Sequence, residues 1–152
     1  MRQPVAASSA AAVLVRPRLR APAAGANGYL PRMPTERHGE IAATISNSIV
    51  AIFADNYGRG PTKAKTYMVD DYVFTVLEDV LTTVERTLVN NGHEDLVRAV
   101  RVTFQEAERD KFMQAVTDAT GRKVLAYHSQ VTFHPALAFE VFVLEPQPDE
   151  AS

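Results

Sequence analysis

The sequence predicts one α+β domain with the element order α-β-β-α-α-β-β, in which a four-stranded, mainly antiparallel sheet packs against helices. Three observations support this fold class. Apolar residues recur at helical spacing in long segments, and four shorter segments have the length and apolar content of strands. Two of those short segments are separated by only two residues, the length of a tight hairpin. The 152 residues are also the size of a single domain.

The first helix is expected to begin at Thr35, a favoured N-cap residue, and to stop at Asn56-Tyr57-Gly58, where glycine suits the left-handed cap position. Its apolar stripe consists of Ile41, Ile45, Ile49, Ile52 and Phe53.

The first hairpin is predicted from strands at Ala64–Val69 and Tyr72–Leu77, joined by Asp70-Asp71. One face of the second strand carries Tyr72, Phe74 and Val76, and the other carries Val73, Thr75 and Leu77. Both faces are largely apolar, so this strand is expected to be central and buried on both sides.

Two helices follow the first hairpin. Thr82 and Glu85 have the spacing of a capping box for the shorter helix, which is expected to stop at Gly92. The longer helix is predicted over Glu94–Ala119, with Gly121 after its end. Its apolar residues suggest two faces that change phase around Glu108–Asp110, and a bend or a second contacting surface is expected there. The first face comprises Leu96, Val100, Phe104 and Ala107, and the second comprises Phe112, Ala115, Val116 and Ala119.

The second hairpin is predicted from strands at Val124–Phe133 and Leu137–Leu144, turned through His134-Pro135-Ala136. One face of its first strand is expected to hold Leu125, Tyr127, Val131 and Phe133, and one face of its second strand holds Phe139, Val141 and Val143. Pairing of the hairpins within one chain and pairing across a dimer are both compatible with this pattern.

The ends of the chain are predicted to lie outside the folded domain of residues 35–146. Residues 1–34 form an Ala/Pro/Arg-rich extension with five arginines and no acid, whose composition predicts disorder. A transit-type peptide fits this composition better than a secretory signal, and an early start codon with Met33 as the true beginning is the further alternative. Residues 147–152 are expected to be a frayed tail.

Composition excludes several classes of function. Beyond residue 34 the chain has 11 basic and 18 acidic residues, a net charge of −7, which argues against nucleic-acid binding. There is no cysteine, and no uninterrupted apolar run is long enough to insert directly into a membrane. The four histidines lack the spacing of a metal motif, and no nucleophile has a recognisable setting. The sequence therefore predicts no catalytic residues, no metal and no cofactor.

The loop Gly58–Lys65 is the candidate site for an anion or a partner protein, because three cations lie beside two flexible glycines. Its candidate residues are Gly58, Arg59, Gly60, Lys63 and Lys65. The alternative is structural: a helix stop, a turn, and the solvated face of an edge strand protected by lysines. Thr82, Glu85, Gly92 and Gly121 are expected to act as structural caps.

Five segments follow one another over about residues 36–146: GRGPTKAKTYMVDDYVFTVLED, LTTVERTLVNNG, FQEAERDKF, TGRKV and EVFVLEP. Together they resemble the MpsC family of the sodium-translocating, membrane-potential-generating system of bacteria. The resemblance implies a soluble cytoplasmic protein linked to membrane proteins that support membrane potential and inorganic-carbon uptake. It implies no established catalytic residue.

The leading functional hypothesis is a non-enzymatic accessory or regulatory protein, a cytoplasmic homodimer that binds another protein, with a membrane transporter as the candidate partner. The motive is the excess of apolar faces on the long helix and the strands, which a second copy could cover. The alternative hypothesis is a sensor of a small anion or ligand that uses the Gly58–Lys65 loop.

Overall fold

The computed structural model describes residues 35–148, which form three helices and one four-stranded antiparallel sheet. The expected extension at residues 1–34 and the last four residues of the expected tail lie outside the described residues. The elements confirm the predicted order and the α+β class. In chain order they are α1 (Glu36–Tyr57), β1 (Lys63–Val69), β2 (Tyr72–Glu78), α2 (Thr83–Asn90), α3 (Glu94–Thr120), β3 (Val124–Phe133) and β4 (Ala136–Leu144).

Helix α1 begins and ends at the capping residues expected from the sequence. Thr35 is the N-cap and forms a reciprocal capping box with His38. Gly58 closes the helix in the left-handed region, at φ 73°. The expected stripe faces the core, where Ile45, Ile49 and Phe53 are buried. Ile41 and Ile52 pack against the same core from its margin.

The strands of the sheet lie in the order β1-β2-β4-β3, and each neighbouring pair is antiparallel. The expected central position of β2 is therefore confirmed, and β1 and β3 are the two edge strands. Both hairpins pair within the chain, and β2 joins them by pairing with β4.

One face of the sheet, here called the inner face, packs against α1 and α3. It supplies Val73, Leu77 and Phe142 to a core that also contains Ile45 and Phe112. The opposite, outer face is not covered by any element among residues 35–148. The expectation that β2 is buried on both sides is therefore wrong, because Tyr72 is 48% exposed and Phe74 is 38% exposed.

Helix α3 faces the core with a different stripe from the one expected. Leu96 and Val100 are about half exposed, and Val97 and Arg101 are buried in their place. With Arg101 included, the core-facing positions form one stripe along a continuous helix, so the phase change expected near Glu108–Asp110 disappears. The stripe consists of Val97, Arg101, Phe104, Glu108, Phe112 and Val116.

Strand β3 also departs from the expected alternation at its beginning. The register with β4 shifts between Val124 and Ala126, so a β-bulge lies at Leu125. The extra residue turns Leu125 away from the face that holds Tyr127, and Val124 is buried in its place.

Candidate functional site

Arg59 of the Gly58–Lys65 loop is held by partners within the chain. Its guanidinium donates to the Asp79 carboxylate at 2.7 Å and to the Leu81 carbonyl at 2.9 Å. Arg86 donates to the other oxygen of Asp79, also at 2.7 Å. These hydrogen bonds hold the pKa of Asp79 below its usual range. Asp79 itself takes a positive φ of 55°, so the two arginines brace a turn in the left-handed region.

The two lysines of this loop also have neighbours in the chain. Lys63 pairs with Glu78 at 3.3 Å, and the Lys65 ammonium lies 5.1 Å from the centre of the Tyr67 ring. Gly60 lies close to α1, where an added Cβ would be 3.2 Å from Val50 Cγ1. Each cation already has a contact, which favours the structural reading of the loop. An anion site here stays a prediction, to be tested by sulfate titration followed by amide NMR.

The proposed structural caps occupy helix ends. Thr82 and Glu85 form a reciprocal capping box at the start of α2. Gly92 and Gly121 both have positive φ, 82° and 68°, and Gly121 is the C-cap of α3. Capping boxes and glycines at positive φ are common at helix ends. The capping box of α2 places Glu85 at the edge of the core.

Glu85 has a second role, as the partner of a buried arginine. Arg101 is only 1% exposed, and its Nε and Nη2 atoms each lie 2.7 Å from an oxygen of Glu85. Nη2 also donates to the Val80 carbonyl, and the guanidinium lies 4.2 Å from the centre of the Tyr57 ring. Burial alone would raise the pKa of Glu85, but hydrogen bonds from Arg101 and Thr82 outweigh it and lower the pKa. The pair is ionised and joins α2 to α3.

A second buried acid lies in the middle of the inner face. Glu140 is fully buried, and its two oxygens accept from the Tyr127 hydroxyl at 2.6 Å and the Ser129 hydroxyl at 2.8 Å. Burial raises the pKa of Glu140 to about 7, although these hydrogen bonds and the charge of Arg101 oppose the shift. Glu140 can therefore exchange a proton near neutral pH. The effect expected from this geometry is on stability, because the carboxyl group is enclosed in the core.

Sequence reasoning missed Arg101 and Glu140, although each left a signal. Arg101 lies four residues after Val97 and three before Phe104, on the core-facing side of an amphipathic helix. Glu140 alternates with Ala138 and Phe142, at a position whose side chain points inward. A charged residue at an inward position is a signal for a buried pair or network.

The outer face of the sheet carries exposed and half-buried apolar side chains on β1, β2 and β4. Antiparallel register aligns these side chains in rows that run across the strands. The rows are Val69–Tyr72–Val143, Tyr67–Phe74–Val141 and Lys65–Val76–Phe139. At usual strand spacings the three rows span roughly 300 Å², about the size of the largest apolar patch on a typical monomeric protein, and such patches are often functional.

Polar and basic side chains border this outer face. Lys63 and Lys65 lie at the β1 margin, and His128 and Gln130 lie on β3 beyond the apolar rows. An apolar centre with a polar rim is the usual organisation of a protein–protein interface. The outer face is therefore the strongest candidate functional surface in the described part of the chain.

Among residues 35–148, no helix combines the length and the apolar character needed to cross a bilayer. No group of three or more metal-ligating side chains in the same residues is arranged to hold an ion.

Comparison with known proteins assigns the family. No curated protein and no solved structure is significantly similar to the chain. The family model described as Na+-translocating membrane potential-generating system (MpsC) matches residues 37–146, more than two thirds of the chain. This range spans α1 through β4 and agrees with the region of the resemblance noted from the sequence. The chain therefore belongs to the MpsC family.

Proposed function

We propose that the chain is a non-enzymatic accessory protein that acts as a homodimer and binds another protein through the outer face of its sheet. The open outer face is the observation that carries this proposal. Its central positions hold Tyr72, Phe74 and Val141, which residues 35–148 leave partly in contact with water.

Large aromatic side chains suit this face for binding. Tyr67 and Phe74 are paired across β1 and β2, and the Tyr72 and Phe74 rings lie 6.4 Å apart. Such rings supply large contact areas with few rotatable bonds, so burying them against a partner costs little conformational entropy. Their attachment to a hydrogen-bonded sheet also holds them in place before binding.

The charge around the face defines the partner's chemistry. Lys63 is paired with Glu78, whereas Lys65 extends over Tyr67 with no ion pair among the described residues, so Lys65 makes the β1 margin basic. A protein segment with apolar side chains and an acidic flank would complement this margin. The family description supports a component of a Na+-translocating membrane potential-generating system as the partner. We accordingly place the chain in the cytoplasm, at the inner side of a membrane complex.

A direct binding experiment tests the outer face. The full chain, Phe74→Lys and Val84→Lys would each be applied to the detergent-solubilised membrane components of the organism's own system. Val84 is the matched control because it is 69% exposed but lies on α2. Saturable binding by the wild type and Val84→Lys, weakened at least tenfold by Phe74→Lys, is expected. Equal binding of all three proteins, or no binding by the wild type, would overturn the proposed surface.

Light scattering on the same purified chain tests the homodimer. The expected mass at micromolar concentration is twice the 16.7 kDa of the single chain. A mass of one chain across that concentration range contradicts the dimer, whatever the result of the binding experiment.

A further inference from the structure

The two edge strands of the sheet differ in the hydrogen bonds that they receive from the rest of the described chain. At the β3 edge, Arg98 donates to the Val131 carbonyl at 3.0 Å and Arg109 donates to the Tyr127 carbonyl at 3.3 Å. The guanidinium of Arg98 also lies 4.9 Å from the centre of the Phe133 ring. Side chains of α3 therefore occupy two backbone acceptors of this edge, which makes β3 a poorer template for another strand than a free edge.

The backbone groups exposed at the β1 edge can be identified from the hydrogen-bond alternation of the sheet. Leu144 donates its backbone N–H to Asp71, and Asp79 donates its backbone N–H to Ala136. Odd-numbered residues of β2 therefore bond towards β4, and even-numbered ones bond towards β1. The register pairs those even-numbered residues with the odd-numbered residues of β1.

It follows that Ala64, Thr66 and Met68 direct their backbone N–H and C=O groups to the free edge. In the described part of the chain, no hydrogen bond from another element reaches these six groups. The Thr66 side chain is occupied on the inner face, where its hydroxyl contacts Ser46 and Thr75. β1 thus presents an ordered, unpaired strand edge, unlike β3.

We propose that β1 pairs antiparallel with β1 of a second copy, with the two-fold axis at Thr66, to form a continuous eight-stranded sheet. This inference rests on the homodimer of the proposed function and names its interface. Centring the axis on Thr66 places Ala64 opposite the second copy's Met68. All three free positions of each strand then exchange hydrogen bonds, and six bonds form across the axis.

The outward side chains favour this register over its neighbours. It places Lys65 opposite the second copy's Tyr67, and Lys63 opposite the second copy's Val69. Moving the pairing by two residues in one direction would set Lys65 against the second copy's Lys65, which like-charge repulsion disfavours. Moving it in the other direction would leave one of the three free positions on each strand without its bonded partner. The Lys65–Tyr67 contact seen within one chain shows that these side chains are compatible.

This pairing would also enlarge the docking surface. The Tyr67–Phe74–Val141 row of one copy would continue into the row that begins with Lys65 in the other copy. The two outer faces would join across the axis into one surface of roughly 600 Å², with the outward lysines of both β1 strands between the two apolar regions. The dimer would therefore offer the partner protein a surface close to that of a standard interface.

The register can be measured by disulfide cross-linking, since the natural chain has no cysteine. Lys65→Cys and Tyr67→Cys would be prepared separately and oxidised alone and as an equimolar mixture. Directly opposed, non-hydrogen-bonded positions lie within disulfide range, whereas the diagonal position is about 7–8 Å away. Disulfide dimers are expected in the mixture and not in either protein alone. Cross-linking of Lys65→Cys alone, or none in the mixture, would overturn this register.

A proline variant tests the edge itself. Met68→Pro removes a backbone N–H that points to the free edge, a position where an edge strand tolerates proline. We expect native circular dichroism and the mass of a single chain by light scattering. A dimeric Met68→Pro protein would contradict the edge pairing. A dimeric wild type without the mixed cross-link refutes this interface alone, whereas a monomeric wild type refutes the homodimer as well.

Discussion

The two faces of the sheet distribute polarity in opposite ways. The inner face, packed under the helices, encloses Glu140 and lies beside the buried Arg101–Glu85 pair. The outer face, open to solvent, presents Tyr72 and Phe74 at its centre. These charged groups on the inner side therefore have hydrogen-bond partners within the chain. The apolar side chains on the outer face are not covered by any element among the described residues.

This contrast separates the face that stabilises the chain from the face proposed for binding. The Arg101–Glu85 pair and the Glu140 carboxyl group have hydrogen-bonded partners within one copy, so neither needs a second molecule. The free energy falls when a partner removes exposed apolar side chains from water. Substitutions on the inner face should therefore change the stability of the chain, and substitutions on the outer face should change binding.

The sharpest comparison uses one phenylalanine from each face. Phe142 on β4 is fully buried, and Phe142→Ala is expected to lower the free energy of unfolding by about 3–5 kcal/mol. Phe74 on β2 is partly exposed, and Phe74→Ala is expected to change the free energy of unfolding by less than about 1 kcal/mol. Urea unfolding followed by circular dichroism measures both. Equal losses would show that the outer face is also part of the core of the single chain.

Removing the buried cation should have a similarly large effect. Arg101→Met keeps much of the side-chain volume but leaves the Glu85 carboxylate without its partner, and a loss of about 3–5 kcal/mol is expected. Arg86→Met is the matched control, because Arg86 is about half exposed in its pair with Asp79, and it should cost about 0–1 kcal/mol. A loss below 1 kcal/mol in Arg101→Met would mean that the pair contributes little to the inner face.

Glu140 should make stability depend on pH. Its pKa is about 7 in the folded chain and about 4.5 when unfolded, so the folded state binds more protons between these values. Stability should be greatest below the unfolded pKa and fall as pH rises through about 7, by up to about 3 kcal/mol. Urea midpoints measured from pH 5 to pH 8 would record this decline.

Glu140→Gln is the control for the pH effect. The amide keeps the shape of the side chain and can still accept from Tyr127, but it does not titrate. The decline between pH 5 and pH 8 should therefore disappear. Glu85 and Asp79 have lowered pKa values and act only at more acidic pH, where their contributions are lost as pH falls. A decline that persists in Glu140→Gln would assign it to another group.

Local chemistry explains why much of the fold could be predicted from the sequence. The Thr35 and Thr82 caps, the Asp70-Asp71 hairpin turn and the apolar stripe of α1 depend on residues near one another in the chain. Their signals are complete within a few residues, and each element began within one or two residues of its expected position.

The rest of the inner face depends on contacts between distant segments. Burial of Arg101 requires Glu85 from another helix, 16 residues away, so a helix-by-helix pattern assigned the core side to Leu96 and Val100 instead. The open outer face was missed for a related reason. Apolar alternation predicts that a face is suited to burial, but it does not say whether the same chain supplies the cover. Leu125 was misplaced because a one-residue bulge reverses the alternation.

The smallest expected effect is the difference between the two capping boxes. Both begin with a threonine, but the two threonines have different surroundings. Thr35 caps α1 at an exposed position, whereas Thr82 bonds Glu85, which in turn holds Arg101. Thr35→Ala should cost about 0.5–1 kcal/mol, the usual value of a cap. Thr82→Ala should cost more, about 1–2 kcal/mol, because it also loosens a carboxylate that the buried cation needs. In the Arg101→Met background the difference between the two caps should shrink, since Glu85 then has no cation to orient. An unchanged difference in that background would mean that the Thr82 cap and the buried pair act independently.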